Sequence, residues 1–309
     1  MVVSAPQPCP VCGSSHATSL LTYKHEWRFC GCGNAHRHRR PRFPAERLPS
    51  LLQRVIPGRA RELLLVRPAV QEGGDVEMYT YYREIAALGS ARGTKWEGQL
   101  AALRAHLSRL GVELAGKAVL DLSGGPGFLV QELRDVAARA VVTEFHPAAV
   151  QAMRELLGVE ATCFDFNRDR LSALFGAPFD VVLIRYAINF CLDLPRLAGE
   201  LRAISRPGAV VYVSYVPPTL GCCLRWQWDD YTYLALYTPE TMARAFSGAG
   251  FTEVDRGDEG EYHYTSGWRL SSKGDLLKRA MAAWYRSRAW AAPERSTVQR
   301  NLVQVFRAS

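Results

Sequence analysis

Nowhere in this chain does an apolar run reach the roughly 18 residues that a membrane span requires. Its first residues, MVVSAPQPCPVCG, lack the basic start and long apolar stretch of a secretory signal. These two absences predict a cytoplasmic protein with no membrane partner. Internal repeats and low-complexity tracts are missing as well, which leaves an ordinary folded chain. An even spread of cysteines is also lacking: Cys9, Cys12, Cys30 and Cys32 crowd the N-terminus, while Cys163, Cys191, Cys222 and Cys223 are scattered. That placement argues against a disulfide framework and for one metal site in a reducing compartment.

What is present is ample core material, with 48% hydrophobic and 22% charged residues over 309 positions. This length exceeds one typical domain and suggests a large domain with an accessory piece. The formal charge of +8 fits either a solvated arginine-rich surface or affinity for phosphates and nucleic acid. Residues 1–43 hold the paired cysteines and the basic run HRHRRPR at 36–42, and residues 44–78 read as a connector. From 79 to 110, Leu100, Leu103, Leu107 and Leu110 at helical spacing predict one or two helices.

A strand–helix alternation follows. Strands are expected at 118–122, 140–143, 160–164, 181–184, 210–215 and 251–254. Helices are expected at 129–138, 147–157, 194–204 and 239–249, with Arg206-Pro207-Gly208 as a turn before the fifth strand. Short buried strands alternating with amphipathic helices imply an α/β fold, a mostly parallel sheet with helices on both faces. A helical extension is expected from 268, with 301–307 as a last strand returning to the sheet.

Chemistry concentrates at the carboxyl end of the first strand, in the run Asp121-Leu122-Ser123-Gly124-Gly125-Pro126-Gly127. Ligands of parallel sheets bind there, and glycines let the backbone approach them closely. A glycine-rich turn alone does not separate this site from a dinucleotide loop. Register narrows the choice. Glu144 ends the second strand, where a carboxylate can accept from both hydroxyls of a ribose. Asp165 follows the third strand, placed to accept from an adenine amino group while Phe166 packs on the ring. Arg185 and Tyr186 follow the fourth.

Over residues 79–254 these motifs resemble the class I S-adenosylmethionine-dependent methyltransferases. The resemblance implies a Rossmann-like, seven-stranded sheet with a reversed last hairpin and S-adenosylmethionine as cofactor. It assigns cofactor contacts to Asp121, Gly124, Gly125, Gly127, Glu144, Asp165, Phe166 and Arg185. The stretch 79–96 stands where such enzymes close a helix over the methionine end, which adds Tyr82 and Trp96. Ser123 stands where the family usually has glycine, and Pro126 stiffens the turn.

Cys9-Pro10-Val11-Cys12 and Cys30-Gly31-Cys32 are two close thiolate pairs, the donor set of a structural zinc ribbon. The second pair is one residue short of the usual spacing, so His36 or His38 could replace a cysteine. Comparable ribbons precede the fold in two groups of methyltransferases, one acting on small molecules such as deoxysugars and one resembling ribosomal RNA guanine methyltransferases.

The acceptor side is expected in an aromatic insertion at 217–237, carrying Arg225, Trp226, Trp228, Tyr231, Tyr233 and Tyr237. Such residues suit a lid over an organic substrate, a stacking surface for a flipped base, or a dimer interface. Methyl transfer needs alignment and, for a protonated nucleophile, a base. Tyr186 and His263 are the candidates. The Asn/Asp-Pro-Pro-Tyr motif of amino-group methyltransferases is replaced by Arg185-Tyr186-Ala187-Ile188. The leading expectation is C- or O-methylation of a small molecule in secondary or sugar metabolism. Methylation of an RNA base and a repurposed, non-methylating fold are the rivals.

Overall fold

The computed structural model describes residues 8–9, 11–14, 17–21, 26–30, 35–39, 83–215, 234–258 and 302–309. Its main sheet has seven strands: β4 (Ala118–Leu122), β5 (Arg139–Glu144), β6 (Glu160–Cys163), β7 (Phe179–Arg185), β8 (Ser205–Tyr215), β10 (Phe251–Asp258) and β11 (Leu302–Ala308). They lie in the order β10-β11-β8-β7-β4-β5-β6. All neighbours are parallel except β11, which runs antiparallel to both β8 and β10. This is the Rossmann-like sheet with a reversed last hairpin that the resemblance implied.

Two apolar layers sandwich the sheet. On one face, α1 (Lys95–Arg109), α2 (Phe128–Leu133) and α3 (Pro147–Ala152) pack over alternate residues such as Val119, Leu183, Tyr212 and Val305. The other face, with Leu120, Val182, Val211 and Phe306, is covered by α4 (Leu171–Leu174), α5 (Leu194–Ala203) and α6 (Pro239–Gly248). The alternation follows from the period of two along a strand. Caps set the helix starts: Thr94, Asp193 and Thr238 each accept a backbone N–H of the first turn. In α5 the buried residues Leu194, Leu197, Ala198 and Leu201 fall at helical spacing, which fixes its inner face.

The boundaries differ from expectation in four places. α2 ends at Leu133, not 138, because Asp135-Val136-Ala137 turn back toward β5. The helix expected over 147–157 becomes a π-turn at Met153–Leu157, closed by Gly158 at φ 64°. Arg206-Pro207-Gly208 is no separate turn but a bulge inside β8, since Phe179 faces Ser205 while Val181 already faces Val210. The end of the insertion is not lid: Ala235–Leu236 forms β9, and the buried Tyr237 donates its hydroxyl to the Cys191 carbonyl.

β9 belongs to a second sheet. β1 (Ala17–Leu21), β2 (Glu26–Cys30) and β3 (Ala35–Arg39) form an antiparallel meander, and β9 adds to its β3 edge. The N-terminal strands are therefore joined by backbone pairing to the chain that leaves the carboxyl edge of the main sheet. Tyr82, Cys32, the residues Arg225 to Tyr233, His263 and the helix expected from 268 lie outside the described residues.

Candidate functional site

Between β4 and α2 the chain reverses through three positive-φ residues, Ser123 (57°), Gly125 (64°) and Gly127 (81°). Serine is uncommon in this conformation. Here its amide donates to Thr143 Oγ1 at 3.0 Å, and Gly124 N donates to the Thr143 carbonyl, so β5 holds the turn from beside. Gly124 has no room for a side chain, because a Cβ would collide with the Asp121 carboxylate and lie 2.8 Å from Val142.

Asp121 is fully buried and paired with Arg185 across the β4–β7 boundary, with Oδ2 to the guanidinium at 2.7 Å and Oδ1 to Nε at 3.3 Å. A buried pair of this kind is held by mutual need: removing either partner strands a charge in low dielectric. Glu144 sits on the same edge, nearly buried, accepting from the Phe145 amide at 2.8 Å and from the Gly125 amide of the glycine turn. Burial raises its carboxyl to about 7, partly opposed by those two amide bonds. The Glu144 carbonyl accepts from Phe164 N at 3.0 Å, which brings Asp165 alongside. The Asp165 carboxylate accepts from Asn167 N at 2.8 Å and stays partly exposed.

The structure thus brings Asp121, Gly124, Gly125, Gly127, Glu144, Asp165 and Arg185 to one edge. It treats the aromatics differently. Phe166 is buried with Phe164 at 5.3 Å, edge to face, so its ring belongs to the core and not to the open edge. Phe145, directly after Glu144, is 57% exposed and is the aromatic available beside the acids; the sequence reading missed it. Trp96 is buried edge-on to Phe128 at 6.0 Å, behind the glycine turn. His146 caps α3 through Nδ1, which gives it a structural role.

At the carboxyl end of β7, Tyr186 has φ 56°, and its amide donates to the Ser214 carbonyl at 2.8 Å. The Ser214 and Tyr212 hydroxyls, on the same face of β8, are buried and find no hydrogen-bond partner among the described residues. Cys191 is fully buried, and burial pushes its thiol up to about 12, so it is a packing residue and no nucleophile.

At the N-terminus, the sulfurs of Cys9, Cys12 and Cys30 all lie within 4.8 Å of one another, with Cys12 and Cys30 at 3.4 Å. Gly13, at φ 71°, donates to the Cys9 carbonyl, and Cys9 N donates to Ser14 O, folding the first pair into a knuckle. Three converging thiols on such a turn suit a soft tetrahedral cation.

Comparison with known proteins agrees with this fold. The family described as "Methyltransferase domain" matches residues 95–255. A ubiquinone biosynthesis O-methyltransferase of Methylocella silvestris is 24% identical over 176 residues, covering 53% of this chain and 69% of that protein. A demethylmenaquinone methyltransferase of Thermus thermophilus is 28% identical over 172 residues, covering 46% of this chain and 78% of that protein. In fold, the chain is similar to one from the complex between the Haloferax volcanii Trm112 methyltransferase activator and a methyltransferase. The TM-score is 0.50 at 18% identity, covering 78% of this chain and 96% of that one.

Proposed function

This chain belongs to the methyltransferase domain family, as an S-adenosylmethionine-dependent enzyme, and we propose that its acceptor is a small organic molecule methylated on carbon or oxygen. The observation that carries the reading is the acceptor end of β7. Arg185 is committed to Asp121, and Tyr186 is held in a left-handed conformation where amino-group enzymes carry a different motif. Both quinone-related relatives, in their printed names, point the same way.

In this reading Glu144 accepts from the ribose hydroxyls, Asp165 from the adenine amino group, and Phe145 covers the base. The buried Asp121–Arg185 pair braces the turn that would hold the amino-acid end of the cofactor. Gly124, Gly125 and Gly127 admit the cofactor to the backbone, and Trp96 and Tyr82 close behind it. S-adenosylmethionine would supply an electrophilic methyl group, which these residues would hold in line with the acceptor atom. The acceptor's proton passes to Tyr186 or His263. Arg225, Trp226, Trp228, Tyr231 and Tyr233 form the substrate lid.

Cys9, Cys12 and Cys30, with Cys32 as the fourth donor, hold a structural Zn²⁺. A thiolate site of this type persists in a reducing compartment, which favours the cytoplasm. Among the described residues no helix is long and apolar enough to cross a membrane.

The second reading, an RNA base as acceptor, is favoured by the basic run at 36–42 that follows the cysteine pairs in the sequence. Formation of demethylated cofactor with quinols, phenols and sugars, against a transcript pool, separates the two. Turnover with a small molecule, unchanged when Arg37, Arg39, Arg40 and Arg42 are neutralised, supports the proposal. Salt-sensitive turnover with RNA alone, lost in that variant, overturns it.

A further inference from the structure

The N-terminal knuckle and the acceptor turn are connected through a short series of contacts, each visible in the structure. Cys30 ends β2, which pairs with β3, and β3 pairs with β9 through Ala35–Leu236 and His36–Ala235. β9 in turn is clamped to the turn that follows Tyr186. Leu234 N donates to the Asn189 carbonyl at 2.9 Å, and Asn189 Nδ2 donates back to the Ala235 carbonyl at 2.9 Å. Asn189 is fully buried, so this reciprocal pair is shielded from water. The next residues repeat the pattern, with Tyr237 donating to the Cys191 carbonyl.

The knuckle also packs against the core that underlies this region. Val11, between the first two cysteines, packs on the apolar cluster that contains Ile188, Cys191, Ala235 and Tyr237. From the other side Asn167, beside Asp165, donates to the Phe190 carbonyl at 2.9 Å and accepts from Leu192 N at 2.8 Å. Residues 187–192 are therefore held between the cofactor edge and the N-terminal sheet.

Two β9 residues cannot hold a sheet edge alone, and a four-stranded sheet this small has little core of its own. A cation bridging Cys9 to Cys30 would tie the knuckle to β2 and fix β3 where β9 meets it.

We propose that Asn189 is a positioning residue through which a metal-filled cysteine knuckle fixes the turn after Tyr186, setting acceptor turnover without setting cofactor affinity. The proposal rests on the zinc reading given above, and its experiment separates the two. Full-length protein carrying stoichiometric Zn²⁺ is compared by hydrogen exchange with protein stripped by a chelator, and then with protein refilled with Zn²⁺. Exchange in peptides covering 186–191 and 234–238 should accelerate on stripping and recover on refilling, while 118–130 stays unchanged. Asn189→Ala, which keeps all cysteines, should retain zinc and its affinity for S-adenosylhomocysteine. Its kcat with an acceptor should fall about two- to tenfold, the size of a lost buried hydrogen bond. Asn189→Ser, which keeps a short polar donor, should recover part of that loss. Unchanged exchange at 186–191 on stripping, with zinc shown to have been bound, overturns the coupling while sparing the zinc site. Protein that never binds zinc, or any thiophilic cation, overturns both.

Discussion

The two halves of the carboxyl edge are built in different ways. The proposed cofactor half, at the ends of β4, β5 and β6, combines a glycine turn with an acid at or near each strand end, Asp121, Glu144 and Asp165. Its parts are cross-braced within the chain or from the adjacent strand, as where Glu144 accepts from Phe145 and from Gly125. The proposed acceptor half, at the ends of β7 and β8, depends on residues far apart in the chain. Tyr186 leans on Ser214, Asn189 on Ala235, and the N-terminal strands on β9. Local construction suits a ligand shared by a whole family, whereas long-range construction lets the acceptor side vary without disturbing it.

The sharpest way to break that division is to attack the buried ion pair that spans it. Arg185→Met leaves Asp121 buried without its counter-ion and should cost about 3–5 kcal/mol of folding stability. The double variant Asp121→Asn with Arg185→Met should recover much of the loss, and chemical denaturation reads both. A second test concerns Glu144. Its folded pKa is raised above the unfolded value, so the bound proton contributes stability that is full below about pH 4.3 and is lost as pH rises through 7. Melting curves across that window should slope downward with pH, and Glu144→Gln should flatten the slope. The smallest effect is expected at Tyr212. Its buried hydroxyl has no partner among the described residues, so Tyr212→Phe should be neutral or stabilising, by up to about 1 kcal/mol.

The same division governs how much could be read from the sequence. The sheet was legible because its strands are short apolar runs bounded by glycines and helix caps, signals that need only neighbouring residues. Asp121, Glu144 and Asp165 were legible for the same reason, each standing at the end of a run. Phe166 was misread because its partner across the pleat was ignored. It sits two positions after the buried Phe164, close enough to share that core, while Phe145 follows the strand end and turns outward. The Asp121–Arg185 pair, the β3–β9 pairing and the Asn189 clamp left no local trace. Each joins segments that only the folded chain brings together, so spacing within any one segment is silent about them.

Calorimetric titration of S-adenosylhomocysteine into wild type, Glu144→Ala and Tyr186→Phe tests the division most directly. The account predicts saturable binding to wild type and binding to Glu144→Ala weaker by about ten- to hundredfold, the range for lost hydrogen bonds to a charged acceptor. Tyr186→Phe should bind as wild type does. Equal weakening in both variants, or no binding to the wild type, would contradict it.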